Sequence, residues 1–268
     1  MRVDAFIGTI VLCGLVTPAI VWLVLCRWAG LSAVVGRVWL ALYGLGALMC
    51  IIVLPRKHIE SALLTRLPRG FWVYNLAQVD NELWEQVGKL LAMAIVLWLV
   101  GEPLRVLFTN KKAAVAIGYW TGLSYGFGEA LILAILFAVP AWAPFFGINT
   151  FTPYMVGWPY VQERLFAMHA HGIMGGLIGL GLYGFFALGS RMRPVGFFVL
   201  AMLYHHFVDG LIIAAGFAPG VAQIIVGLGA LFVLLEVVAG LVLLWLAYRS
   251  QRSVVGRRSS SDPQDACA

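Results

Sequence analysis

The sequence predicts an all-α fold: a polytopic transmembrane helical bundle of about seven spans with a polar site inside. Three observations lead there. Of 268 residues, 62% are hydrophobic and only 11% charged, and mean hydropathy is +0.93. A soluble domain carries about a quarter charged residues, so the surplus apolar surface must face lipid. The apolar residues form runs of the roughly 20 needed to cross a bilayer as helix, which excludes barrel strands of about 9–11 residues. Ionisable residues interrupt several of these runs.

The elements follow in chain order. A first span over 5–26 begins after Met1-Arg2-Val3-Asp4 and runs to Arg27, too far for a signal-peptide core of about 7–15 residues. A second occupies 33–54. Segment 55–87 mixes Arg56, Lys57, Arg66 and Arg69 with Trp72, Tyr74 and Trp84, the pattern of an interfacial stretch lying along the membrane. Further spans are predicted at 88–108, 113–139, 162–188, 195–216 and 219–248, making residues 1–248 one bundle. The fifth has a small-residue face in Gly172, Gly175, Gly176, Gly179 and Gly181, as closely packed membrane helices do. The tail 249–268, rich in Ser and Arg, is expected to be disordered and cytoplasmic.

Charge sets the orientation. Arg27 and Arg37, Lys111 and Lys112, Arg191 and Arg193, and the tail arginines share one side, which places the C-terminus in the cytoplasm and the N-terminus outside. Segment 55–87 disagrees, with four basic residues on the opposite side. The net charge of +6 lies in short loops and the tail with no basic stripe among aromatics, so membrane lipids and no nucleic acid are the expected partners. Cys13, Cys26 and Cys50 sit in apolar runs and Cys267 in the tail, with neither disulfide nor metal-ligand spacing.

Charges at membrane depth cost several kcal/mol on most estimates, so each one is a functional candidate. They are Glu102 and Arg105; Glu129; Glu163, Arg164, His169 and His171; His205, His206 and Asp209; and Glu236. Glu102 and Arg105 share a helix face and also read as a self-neutralising structural pair. Glu129 has no partner on its own helix. His205 and Asp209, four apart, point one way, and a carboxylate orients an imidazole and fixes its tautomer. His206 turns about 100° away, and of His169 and His171 only one can face a shared cavity. His169 and His206 also read as ordinary core histidines, Glu163–Arg164 as a boundary pair and Glu236 as structural. Side chains from four helices can meet in one pocket, and a Glu beside a His can deprotonate water. No His-Glu-x-x-His, Gly-x-Ser-x-Gly or Gly-x-Gly-Asp motif occurs. A metal held by two His and one Glu is compatible with these residues, with Glu129, His171 and His205 as candidates.

Taken in order, Gly101-Glu102-Pro103-Leu104-Arg105, Gly126-Phe127-Gly128-Glu129-Ala130, Glu163-Arg164 with His171, and His205-His206-Phe207-Val208-Asp209 resemble the motifs of the YhfC-type branch of the CAAX protease/PrsW superfamily of intramembrane proteases. The resemblance covers about residues 101–210. It implies a buried, water-accessible chamber that hydrolyses a membrane-bound or lipidated peptide in a bacterial plasma membrane. Glu102 and Glu129 would activate water with His171, Arg105 would belong to the same site, and His205 and Asp209 would hold the oxyanion. Zinc, or no metal at all, is the implied cofactor state. Gly101 stands where the family carries the first of two glutamates. A non-catalytic scaffold derived from that family and a proton-coupled transporter are the competing expectations; no repeat between the two halves supports the second.

Overall fold

A computed structural model describes residues 3–31, 36–53, 56–68, 70–139, 141, 157–228 and 230–251, and the tail beyond Gln251, with Cys267, lies outside them. The described chain is helical, with no strand. We number the helices α1 (Val3–Ala29), α2 (Gly36–Val53), α3 (Arg56–Leu64), α4 (Phe71–Val100), α5 (Glu102–Phe108), α6 (Lys111–Ala138), α7 (Trp158–Phe186), α8 (Met192–Phe217), α9 (Pro219–Leu228) and α10 (Ala230–Ser250). Within α1, Thr9–Val16 is wound as π-helix. Among the described residues, six helices are long and apolar enough to cross a membrane: α1, α4, α6, α7, α8 and Leu231–Ser250 of α10; Gly36–Ile52 is a shorter apolar helix. The protein is therefore a helical membrane bundle.

The third span differs from expectation. Segment 55–87, expected as an interfacial stretch, is helical over Arg56–Leu64 and again from Phe71, and this second helix runs unbroken to Val100. Its 30 residues span about 45 Å at 1.5 Å each, longer than the hydrocarbon core. The helix stops because Gly101 adopts φ +71°, ψ −136°, a conformation open to glycine alone, and Pro103 then starts α5. Residues 101–108, expected inside the span, form a separate short helix. Asn110 caps α6, its side chain accepting from the backbone N–H groups of Lys112 and Ala113 at 3.0 and 3.1 Å.

Helices α6 and α7 are the buried centre of the bundle. They can touch backbone to backbone because glycine repeats every fourth residue on both. A Cβ on Gly118 would lie 2.1 Å from the Gly175 carbonyl oxygen, one on Gly122 2.0 Å from that of His171, and one on Gly179 2.2 Å from that of Ala114. Lipid offers no hydrophobic drive for helix pairing, so this close fit is the source of cohesion. Trp39, Leu123, Ile173 and Leu177 pack around it. At one end α1, α6 and α10 meet: Lys111 Nζ donates to the carbonyls of Tyr248 and Gln251 at 3.2 and 3.0 Å, and Trp28 tilts against Tyr248. Lys112 faces the Trp28 ring there too.

Candidate functional site

The glycine seam sets the position of the site. Gly126, the next residue along the α6 stripe, leaves just enough room for the His171 ring, whose Cδ2 would be 2.9 Å from a Cβ there. His171 lies near the middle of α7, and Glu129, one turn beyond Gly126, meets it: His171 Nε2 and Glu129 Oε2 are 2.8 Å apart. The other Glu129 oxygen lies 3.5 Å from Arg164 Nη1, and Arg164 also makes a double hydrogen bond to Glu163. Glu163–Arg164 is thus more than a boundary pair, since its arginine supports Glu129.

From α4 comes a group that sequence reasoning missed. Gln78, Glu82, Glu85 with Gln86, and Lys89 recur at helical spacing and form one polar stripe. Glu85 is 5% exposed and Lys89 fully buried. Glu85 Oε1 accepts from Asn81 Nδ2 at 2.8 Å. Its Oε2 has three nitrogen neighbours: His171 Nδ1 at 3.7 Å, Lys89 Nζ at 3.7 Å and His205 Nε2 at 3.8 Å. All three distances exceed direct hydrogen-bond length. Among the described residues, Glu85 Oε2, His171 Nδ1 and Lys89 Nζ accordingly make no hydrogen bond. The Lys89 ammonium also lies 4.4 Å from the Tyr125 ring centroid.

The α8 side chains complete the centre. His205 Nε2 is 3.2 Å from Asp209 Oδ2, which also accepts from Gln78 Nε2 at 2.5 Å. His205 Nδ1 faces Gln86 Nε2 at 3.1 Å, and the rings of His171 and His205 meet edge to face at 5.7 Å. His206, turned away as its position requires, pairs with Glu82 at 2.8 Å. The α4–α8 interface is therefore a polar ladder, Gln78–Asp209, Glu82–His206 and Gln86–His205.

Of the expected site residues, Glu129, His171, His205 and Asp209 come together. Glu102 and Arg105 do not. They form a pair of their own at 3.7 Å, with side chains 71% and 61% exposed, because Gly101 ends α4 before it reaches them. Glu85 occupies the place in the centre that Glu102 was expected to fill. His169 bonds the Tyr119 hydroxyl at 2.6 Å, away from the centre. Glu236 is buried, and its Oε1 has no hydrogen-bond partner among the described residues.

Protonation follows from these contacts. Glu129 as a carboxylate accepts a hydrogen bond from His171 Nε2–H, so Nδ1 of the neutral ring carries a lone pair aimed at the Glu85 side. An oxygen placed between Glu85 Oε2, His171 Nδ1 and Lys89 Nζ can accept from the ammonium and donate to the other two atoms. That is the bonding pattern of one water molecule. For a metal, Glu85, Glu129 and His171 each offer a ligand atom within 4.8 Å of the others, a donor set of zinc type. Against the expected set of Glu129, His171 and His205, the geometry keeps the first two and substitutes Glu85 for the third.

This is a membrane bundle with a buried carboxylate–imidazole centre. No family model matches the sequence, and neither a curated protein nor a solved structure matches it.

Proposed function

We propose that the protein is an intramembrane hydrolase that cleaves a membrane-associated peptide with a water molecule activated by glutamate and histidine. The observation that carries this reading is the set of three polar atoms with no hydrogen-bond partner among the described residues, Glu85 Oε2, His171 Nδ1 and Lys89 Nζ, converging from two helices. Leaving them unsatisfied costs about 1–3 kcal/mol each, so a site built this way binds a small polar molecule. Held there, water gives a proton to His171 Nδ1 while its oxygen attacks the peptide carbonyl. Glu129 stabilises the imidazolium through Nε2, as the carboxylate does in hydrolytic triads. His205 donates Nε2–H to Asp209 and accepts from Gln86, so the donor available to the oxyanion is the Lys89 ammonium, which has no hydrogen-bond acceptor among the described residues. His171 then returns the proton to the leaving amine as the C–N bond breaks.

Burial lends the reading further support, since electrostatic contacts strengthen where bulk water is excluded. The resemblance to intramembrane proteases points to the same chemistry through Glu129, His171, His205 and Asp209. The orientation inferred from charge puts the Glu129 end of α6 towards the outside. A second reading, a proton relay, draws on the series Glu129–His171–Glu85–His205–Asp209, in which the two steps through Glu85, at 3.7 and 3.8 Å, would each need a bridging water. Cleavage of a peptide library by the purified protein in water enriched in oxygen-18 separates the two. Hydrolysis labels the new carboxyl terminus, and Glu129→Gln lowers the rate by about 10²–10⁴. Absence of any labelled product, with proton flux into liposomes, supports the relay and overturns hydrolysis.

A further inference from the structure

We propose that the Lys89 ammonium is the centre's own cation, standing where a divalent metal would otherwise bind, so that removing its charge turns Glu85, Glu129 and His171 into a metal site. Lys89 rises one turn beyond Glu85 on the same face of α4, its side chain fully buried. Its ammonium has no hydrogen-bond acceptor among the described residues. What it has is charge, directed at Glu85 Oε2 at 3.7 Å and at the face of Tyr125.

The two carboxylates that a metal would need are each already matched to a cation. Glu129 has Arg164 at 3.5 Å and Glu85 has Lys89 at 3.7 Å. The arginine is shared with Glu163 and bonded to it, so it is held from outside the centre. Lys89 has only Glu85 and the Tyr125 ring beside its ammonium among the described residues, and it lies inside. A dication bound by Glu85, Glu129 and His171 would sit within a few ångströms of a fixed ammonium in a buried site, where charge repulsion is poorly screened. Without the ammonium the same three ligand atoms, within 4.8 Å of one another, present two negative charges and an imidazole lone pair. Zinc and cobalt(II) accept that set.

The inference deepens the proposed hydrolase by making it metal-free, yet its test does not depend on cleavage. The full-length wild type, Lys89→Met, Lys89→Arg and Lys89→Met/Glu129→Gln proteins are equilibrated with cobalt(II). Bound metal is read by elemental analysis and by the visible absorption of tetrahedral cobalt. Wild type and Lys89→Arg are expected to hold none at the centre. Lys89→Met is expected to gain about one equivalent per chain, lost again with Glu129→Gln. One equivalent in wild type, removed by Glu129→Gln, overturns the proposal even if Lys89→Met does not fold. So does a folded Lys89→Met protein without metal. A wild type that excludes metal and cleaves no peptide would leave the proposal standing while the hydrolase reading falls.

Discussion

At the scale of single residues, burial separates the ionisable groups that form a centre from those that only neutralise one another. Glu102 and Arg105 are mostly exposed, and an exposed pair contributes about 0–1 kcal/mol. Replacing both by glutamine is expected to leave the melting temperature in detergent unchanged; a large drop would show the pair to be buried in a contact that the fold does not display. Glu82 and His206 are different, for the glutamate is 1% exposed although its partner is about a third exposed. His206→Leu strands a buried carboxylate and should destabilise the protein by more than about 1 kcal/mol, with exposure of the imidazole holding the loss below the roughly 3–5 kcal/mol of a fully buried pair. Adding Glu82→Gln should recover most of that loss. A double variant as unstable as the sum of the two single changes would mean that the residues do not interact. The sequence made Glu129, His171, His205 and Asp209 legible because each interrupts an apolar run. Glu85 and Lys89 escaped notice for the opposite reason, as they lie in a stretch already full of charge.

At the scale of helices, the missed element was α4. Its first half reads as interfacial because Arg56, Lys57, Arg66 and Arg69 precede it and Trp72, Tyr74 and Trp84 lie within it, yet Gln78, Glu82, Glu85/Gln86 and Lys89 recur every third or fourth residue, the signature of one helix face. That periodicity was available in the sequence. The break at Gly101 was less so, since a glycine inside a membrane span is ordinary until a positive φ is required of it. The glycine face of α7 was visible and proves to be half of a two-sided seam with Gly118 and Gly122 of α6. This gives a paired expectation. Gly175→Ala drives a Cβ to 2.1 Å from the Gly118 carbonyl oxygen, a backbone atom that cannot swing aside, and should cost about 1–3 kcal/mol. Gly196→Ala on α8 meets nothing within 4 Å and should gain about 0.5–1 kcal/mol from helix propensity. Thermal unfolding of both variants checks this pair, and equal effects would mean that α6 and α7 are not in backbone contact.

At the scale of the whole molecule, the helices act as a scaffold that brings charged groups from α4, α6, α7 and α8 to one buried place. Composition and run length predict that bundle directly, because nothing else satisfies so apolar a chain. Which faces converge depends on the glycine seam and on the full length of α4, and span positions alone do not determine either. The end where Trp28, Lys111, Lys112 and Tyr248 gather carries the basic loops, so the inferred orientation has a direct check. In a protein whose Cys267 is replaced by serine, a cysteine at exposed Ser250 should be labelled by an impermeant maleimide only from the cytoplasmic side, and one at exposed Gln162 only from outside; the reverse pattern would invert the assignment. The centre itself is tested most directly by the rate of peptide cleavage in Glu85→Gln beside Glu102→Gln. A buried glutamate facing His171 and Lys89 predicts a loss of at least about 10²-fold in Glu85→Gln and wild-type turnover in Glu102→Gln. Full activity in Glu85→Gln, or loss confined to Glu102→Gln, would contradict the account.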